Sequence, residues 1–155
     1  MRILILAFTF ILFSTFLNAQ KVEITADSFE ADEKEMVTKF NGNIHIKKGE
    51  DEIFASELII YFDKDNKPQK YEATGNIKFH LTLKKQKFEG HSQIIVYEPI
   101  SQKYKMSGDA YVHEIINDRK LYGEEIVIDR ISGKSKIVGK DDKPVRMIFS
   151  VEEKK

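Results

Sequence analysis

Cysteine is absent from this 155-residue sequence, and neither sign of charge is in excess, because 25 lysines and arginines balance 25 aspartates and glutamates. Without cysteine, neither a disulfide framework nor a thiolate site can form, so packing and sheet hydrogen bonds must stabilise the fold. A nucleic-acid-binding domain would carry a basic stripe. The balanced charge therefore predicts that nucleic acid is not a partner.

Sequence motifs for catalysis and metal binding are missing as well. The chain contains no G-x-S-x-G motif and no P-loop. None of its four histidines belongs to a pair with ligand spacing on one predicted strand. The acidic clusters at 50–52 and 124–125 are typical of solvent-exposed turns and strand starts. We predict a protein that is not an enzyme and that uses neither a metal nor a cofactor.

The N-terminus carries the one long apolar run. A single basic residue, Arg2, precedes a mostly apolar stretch from Ile3 to Leu17, and Ala19 follows shortly after it. This is the pattern of a secretory signal peptide. We predict that residues 1–19 are cleaved and that residues 20–155 form a single exported domain. The alternative is an uncleaved membrane anchor, although a spanning helix needs about 20 apolar residues.

Apolar and polar residues alternate over much of the remaining chain. From Asn76 to Leu83 every odd position is apolar and every even position is polar. Segments 43–47 and 145–151 largely repeat this pattern. Successive side chains of a strand point to opposite faces, so each segment has one dry face and one wet face. β-Branched and aromatic residues are also frequent, and the sequence predicts an all-β fold.

An internal repeat organises these strands. A glycine-centred segment, Phe-Asn-Gly-Asn-Ile in its first copy, recurs at intervals of 33, 33 and 31 residues. Its copies occupy 40–44, 73–77, 106–110 and, weakly, 137–140. A second apolar element lies between the copies, at 55–61, 91–97 and 123–129. Each repeat is thus a pair of strands that cannot bury its own dry face, which predicts stacked strand pairs sharing one interior.

The order of these segments resembles that of the OstA-like family, and in particular its LptA-type lipopolysaccharide transport proteins. The likeness is carried by Val22–Asp32, the strand at 40–44, the Lys48-Gly49 turn and the segment 53–58, and it extends to about Phe149. The resemblance implies an OstA-like β-jellyroll of two antiparallel sheets, built from repeated strand pairs and opened into a V.

The resemblance also implies a function. It predicts a periplasmic carrier that shields the acyl chains of lipopolysaccharide and bridges inner- and outer-membrane export complexes. The implied partners are lipopolysaccharide, an LptC-like inner-membrane protein and an LptD-like outer-membrane translocon. Head-to-tail self-association through terminal edge strands is implied too, and Lys21–Ile24 and Arg146–Val151 are the candidate strands.

The dry positions are the candidate lipid-binding residues. They are Ile44, Ile46, Leu58, Ile60, Ile77, Phe79, Leu81, Leu83, Ile94, Val96, Val112, Ile126, Ile128, Met147 and Phe149. Three alternatives stay open. These residues fill a closed core in a periplasmic interaction module without lipid binding, or the chain is a membrane-anchored LptC-like component of the same pathway. Wet-face lysines such as Lys47 and Lys78 either meet lipid phosphates or are ordinary surface residues.

Overall fold

The computed structural model describes residues 21–154, so the predicted signal peptide at 1–19 lies outside the described residues. Ten strands follow one another in this part of the chain. They are β1 (Val22–Thr25), β2 (Ser28–Asp32), β3 (Val37–Lys48), β4 (Asp51–Phe62), β5 (Pro68–Leu83), β6 (Gln86–Glu98), β7 (Lys103–Glu114), β8 (Arg119–Asp129), β9 (Lys134–Val138) and β10 (Arg146–Ile148). Within residues 21–154 there is no helix of the length and apolar character needed to cross a membrane.

All ten strands belong to one antiparallel sheet, in which each strand from β3 to β8 pairs with the next in sequence. The two edges are built alike. β1 and β2 pair with opposite ends of β3 and form one edge strand interrupted at Ala26-Asp27. β9 and β10 likewise pair with opposite ends of β8, with the segment 139–145 between them. Both candidate edge strands from the sequence lie at the edges, but the second is a strand only over Arg146–Ile148 and not as far as Val151.

The repeat glycines mark a corner halfway along the long strands. In β3, β5 and β7 a glycine and the residue after it both have φ between 45° and 87°. These pairs are Gly42-Asn43, Gly75-Asn76 and Gly108-Asp109. A Cβ atom at Gly75 would lie 2.5 Å from Ser56 Oγ on β4, so both the left-handed backbone and the close approach require glycine here.

At each corner the glycine-bearing strand contains one residue more than the strand that pairs with it, as where Gly42-Asn43 lies opposite Ser56. The register of every pairing from β3–β4 to β7–β8 shifts at the corner, which is the signature of a β-bulge. In β6, for example, Ser92 and Ile95 are both buried, whereas Gln93 and Ile94 between them are exposed. On the even-numbered strands, the inward-facing residues therefore change between even and odd positions at the corner, as from Ser92 to Ile95 in β6.

The corners divide the sheet into two layers. One layer, the β2 layer, contains β2, β9 and the halves of β3–β8 on the same side of the corners. The other, the β1 layer, contains β1, β10 and the halves on the opposite side. Eleven apolar side chains from both layers form one cluster in which none is more than 7% exposed. The described chain offers nothing except the sheet to cover them, so the dry faces of the two layers lie against each other.

The predicted all-β class is confirmed. The two expected sheets are joined into one because β3–β8 continue through the corners instead of ending there. Each corner bends a continuous strand, and the interior lies between the two arms of the bend.

Candidate functional site

Apolar side chains of the β2 layer form a row that crosses the sheet. Each member is the cross-strand partner of the next, so all of them share the interior face. The row consists of Phe40, Leu58, Ala73, Ile95, Met106, Ile126 and Ile137. From Leu58 to Ile126 no member is more than 6% exposed. The dry face is therefore continuous from β4 to β8.

The β1 layer contains a matching row on the opposite wall of the interior. Its members are Ile24, Ile46, Ile53, Phe79, Gly90, Val112, Leu121 and Met147. Phe79 is only 1% exposed. Burial of one such side chain contributes about 1.5–3 kcal/mol, so the two rows together supply much of the stability of the fold.

Three tyrosines border the interior at the free margin of the β2 layer. Tyr71, Tyr97 and Tyr104 are successive cross-strand partners, and their ring centroids are 6.0 and 4.3 Å apart. Burial, together with the neighbouring Tyr97, raises the pKa of Tyr71 and of Tyr104 above the usual value. The hydroxyls of Tyr71 and Tyr104 therefore stay protonated at physiological pH. The margin combines apolar rings with polar hydroxyls.

A buried carboxylate, paired with a half-exposed arginine, borders the interior at the margin of the β1 layer. Glu114, at the end of β7, is 5% exposed. Arg119 Nε donates a hydrogen bond of 2.5 Å to its carboxylate, and Asn117 Nδ2 donates another. A buried carboxylate requires such partners because removing a charge from water is costly. Glu114 is the cross-strand partner of Phe88, so the dry surface ends at this charged pair.

The dry rows reach both edges of the sheet and are uncovered there. Phe29 on β2 stacks on Phe40 with ring centroids 5.9 Å apart, yet it is 69% exposed. Met147 on β10 is the cross-strand partner of Leu121 and is 52% exposed. The interior is therefore packed in the middle of the sheet and open at both of its edges.

Most of the predicted lining residues come together in this interior. Ten of them belong to the core cluster or pack against it, namely Ile44, Ile46, Leu58, Ile60, Ile77, Phe79, Leu81, Val112, Ile126 and Ile128. Leu83 is partly buried at the end of β5, outside the cluster. Met147 lies on the dry row but at the exposed edge. Phe149 follows β10 and is 55% exposed. Contact of these residues with lipid stays a prediction.

The interior position predicted for Ile94 and Val96 is wrong. Residues 94–97 are uniformly apolar, so alternation alone does not identify their inward members. The extra residues in β5 and β7 shift the register of β6, so Ile95 faces inward at 6% exposure and Ile94 is 38% exposed. Val96 has Glu72 and Lys105 as its cross-strand partners, which places it on the outer face.

The residues at the margins were not predicted from the sequence. The tyrosines had a usable signal, because Tyr71 and Tyr104 each stand four residues before a repeat glycine. Glu114 had none, since a carboxylate at the end of an alternating strand is typical of a solvent-exposed position.

The outer face of the β1 layer carries histidines beside carboxylates. His113 Nδ1 lies 3.1 Å from Glu89 Oε1, and its Nε2 lies 2.8 Å from Asp118 Oδ1. Hydrogen bonds to these two carboxylates raise the pKa of His113 above the usual value. Between residues 21 and 154, no three histidine, aspartate or glutamate side chains are grouped so that they could hold a metal ion.

Comparison with known proteins relates this architecture to lipopolysaccharide transport. The sequence profile of the family described as "LptA/(LptD N-terminal domain) LPS transport protein" matches residues 23–134. The crystal structure of LptH from Pseudomonas aeruginosa, described as the LptA homologous periplasmic component of the conserved lipopolysaccharide transport device, is similar with a TM-score of 0.71. The two are 18% identical, and the match covers 85% of this chain and 96% of that chain. The shared fold confirms the predicted β-jellyroll. Curated proteins yielded no match.

Proposed function

Because the chain belongs to the LptA/(LptD N-terminal domain) family of lipopolysaccharide transport proteins, we propose that it is a periplasmic carrier that shields the acyl chains of lipopolysaccharide and bridges inner- and outer-membrane export complexes. The observation that carries this proposal is the pair of dry rows, which run from edge to edge of the sheet and end at the exposed Phe29 and Met147.

The energetics of lipid transfer explain why such an interior suffices. Each CH₂ group exposed to water costs about 0.8 kcal/mol, so a bare chain of about a dozen carbons would cost on the order of 10 kcal/mol. A carrier removes this cost by offering apolar surface. It needs no catalytic group.

Acyl chains enter at the margin, where the two layers meet through side chains alone. All strand pairing in the described chain joins segments of the same layer, and the layers are covalently joined at the corners. Parting the layers at the margin therefore breaks apolar contacts but no ladder hydrogen bonds. The acyl chains replace those contacts, while the polar head stays beside the hydroxyl of Tyr97 and the Glu114–Arg119 pair.

The edges account for the bridging role. An edge strand presents unpaired N–H and C=O groups that another chain can complete. β1 and β2 at one edge, and β9 and β10 at the other, are open to such pairing. A second copy, an LptC-like protein or an LptD-like translocon docked there would also cover Phe29 or Met147. The dry rows would then continue from one molecule into the next.

Site-specific photo-crosslinking in cells tests the carrier role. Leu81, on the interior face near the margin, and His80, its neighbour on the outer face, form a matched pair on β5. A photoreactive residue at 81 should capture lipopolysaccharide, whereas the same residue at 80 should not. Equal capture at both positions, or none at 81, contradicts the proposal.

A further inference from the structure

A second row crosses the outer face of the β1 layer, and the proposed interior does not use it. We call it the outer stripe. Its members are successive cross-strand partners from β4 to β10, namely Phe54, Lys78, His91, Tyr111, Tyr122 and Arg146. The stripe combines aromatic and basic side chains and contains no carboxylate.

The C-terminal half of the stripe is a continuous row of side chains in contact, in which neighbouring rings are tilted by 35°. The rings of His91 and Tyr111 have centroids 5.2 Å apart, and those of Tyr111 and Tyr122 are 4.8 Å apart. The guanidinium carbon of Arg146 lies 4.3 Å from the centroid of the Tyr122 ring. These contacts fix the side chains before any ligand binds, which lowers the entropic cost of binding.

A cavity of about 460 Å³ lies at the end of this row of side chains, beneath the segment 139–145. Its size falls within the range of small-ligand sites, about 300–1,000 Å³. His91, Tyr122 and Arg146 line it together with Lys143 and three carboxylates, Asp109, Glu124 and Asp142. Lys143 Nζ lies 3.2 Å from Asp109 Oδ1, and Lys140 Nζ lies 2.9 Å from Glu124 Oε1. These ion pairs offset two of the three carboxylates.

This chemistry fits a saccharide. The hydroxyls of a pyranose ring need both hydrogen-bond donors and hydrogen-bond acceptors around the sugar. The cavity offers both, because the side chains of Tyr122 and His91 line it together with carboxylates and cations. Lys78 and Arg146 add positive charge, which favours phosphate or carboxylate substituents on the sugars.

The next row on the same face argues against a densely charged polyanion. It alternates acidic and basic positions across the strands, with Glu52, His80, Glu89 and His113 as successive cross-strand partners. Glutamates at this spacing repel a ligand that carries a negative charge on every unit. A sparsely phosphorylated or acidic oligosaccharide suits both rows.

We propose that the outer stripe and its cavity bind the acidic oligosaccharide part of lipopolysaccharide, an assignment that rests on the proposed function for the identity of the cargo. Arg119 at the margin and Tyr122 on the stripe are three residues apart on β8, about 10 Å along the strand. A saccharide that leaves the interior at this margin therefore reaches the stripe within a few sugar units, while the acyl chains stay inside.

Calorimetric titration of the purified protein with lipid-free oligosaccharide from deacylated lipopolysaccharide tests the proposal. The unaltered protein should bind it, and Arg146→Gln and His91→Ala should each weaken binding by about fivefold or more. Because His91 is exposed, His91→Ala should leave the fold intact. It therefore tests the site even if Arg146→Gln disturbs β10. Lys70→Gln is the matched control, because it removes a cation 4.1 Å from the Tyr61 ring in the β2 layer, and it should leave affinity unchanged.

Titrations with two comparison ligands distinguish specific binding of an acidic oligosaccharide from other kinds of binding. A neutral oligosaccharide of similar length should bind more weakly, and equal binding overturns the assignment to an acidic ligand. Heparin that binds as tightly as the deacylated material overturns it too, because it points to general charge attraction. No binding by the unaltered protein refutes the stripe but leaves capture of lipopolysaccharide at position 81 intact. Loss of capture at 81 with normal oligosaccharide binding refutes the carrier interior instead.

Discussion

The ring of Phe79 on β5 lies over Gly90, its cross-strand partner on β6. A Cβ atom at position 90 would come within 2.6 Å of Phe79 Cζ and 2.1 Å of the Tyr111 carbonyl oxygen. Phe79 is the largest fully buried side chain of the described chain. The absence of a side chain at Gly90 is therefore what lets this ring close the middle of the interior.

Gly90→Ala should lower the free energy of unfolding by about 1–3 kcal/mol, because the new methyl group forces the Phe79 ring and the β7 backbone apart. Chemical denaturation measures the loss. Lys136→Ala on β9, at an exposed strand position, is the control and should change stability by no more than about 0.5 kcal/mol. A Gly90→Ala protein as stable as the unaltered one would contradict the close approach.

The neighbours Ile94 and Ile95 test the register shift of β6. Ile95→Ala removes methyl groups from the core and should cost about 2–5 kcal/mol. Ile94→Ala, with the same chemistry on the outer face, should cost about 0.5 kcal/mol. Parallel denaturation curves measure both. Equal losses, or a larger loss at 94, would show that the register shift lies elsewhere.

The same register shift explains how far the sequence predicted the interior. In β5, strict alternation correctly placed Ile77 and Phe79 inside, because the inward-facing residues of this strand stay at odd positions on both sides of its corner. In β6 the inward-facing residues change from even to odd positions after Ser92, and a uniformly apolar run hides the change. This change is imposed by the extra residues at the glycine corners of β5 and β7, so the sequence of β6 alone does not specify it.

The outer stripe shows a second limit of sequence analysis. Lys78, His91, Tyr111 and Tyr122 are 13, 20 and 11 positions apart along the chain, and they become neighbours only through the register of four strands. Local patterning predicts which face a residue occupies. It does not predict which residues of different strands align, because hairpin lengths and bulges determine that alignment.

His113 predicts a pH dependence of stability. Glu89 and Asp118 raise its folded-state pKa, while Lys120 opposes them. Its stabilising contribution is therefore fully present below the unfolded pKa of about 6.5 and is lost as the pH rises through the raised folded value. Glu89→Gln removes the largest cause of the shift, so the decrease in Tm between about pH 6 and about pH 9 should become smaller.

Thermal unfolding across this range, with an NMR titration of the His113 ring, checks the pH prediction. Glu72→Gln is the control, because Glu72 Oε2 lies 3.4 Å from Lys70 Nζ in the other layer, and it should retain the original pH dependence. An unchanged His113 titration in Glu89→Gln would contradict the assigned cause.

Met147 and Val22 lie at opposite edges of the β1 layer and are 52% and 56% exposed. In a head-to-tail array these edges face each other, so Met147→Glu should place a charge in an apolar contact and weaken self-association about tenfold or more. Val22→Lys combined with it should restore part of the association by supplying an opposite charge. Ile100→Glu, in the β6–β7 turn and away from both edges, is the control and should have no effect. Light scattering from micromolar to millimolar concentration measures assembly, and an unaltered protein that stays monomeric throughout would contradict the array.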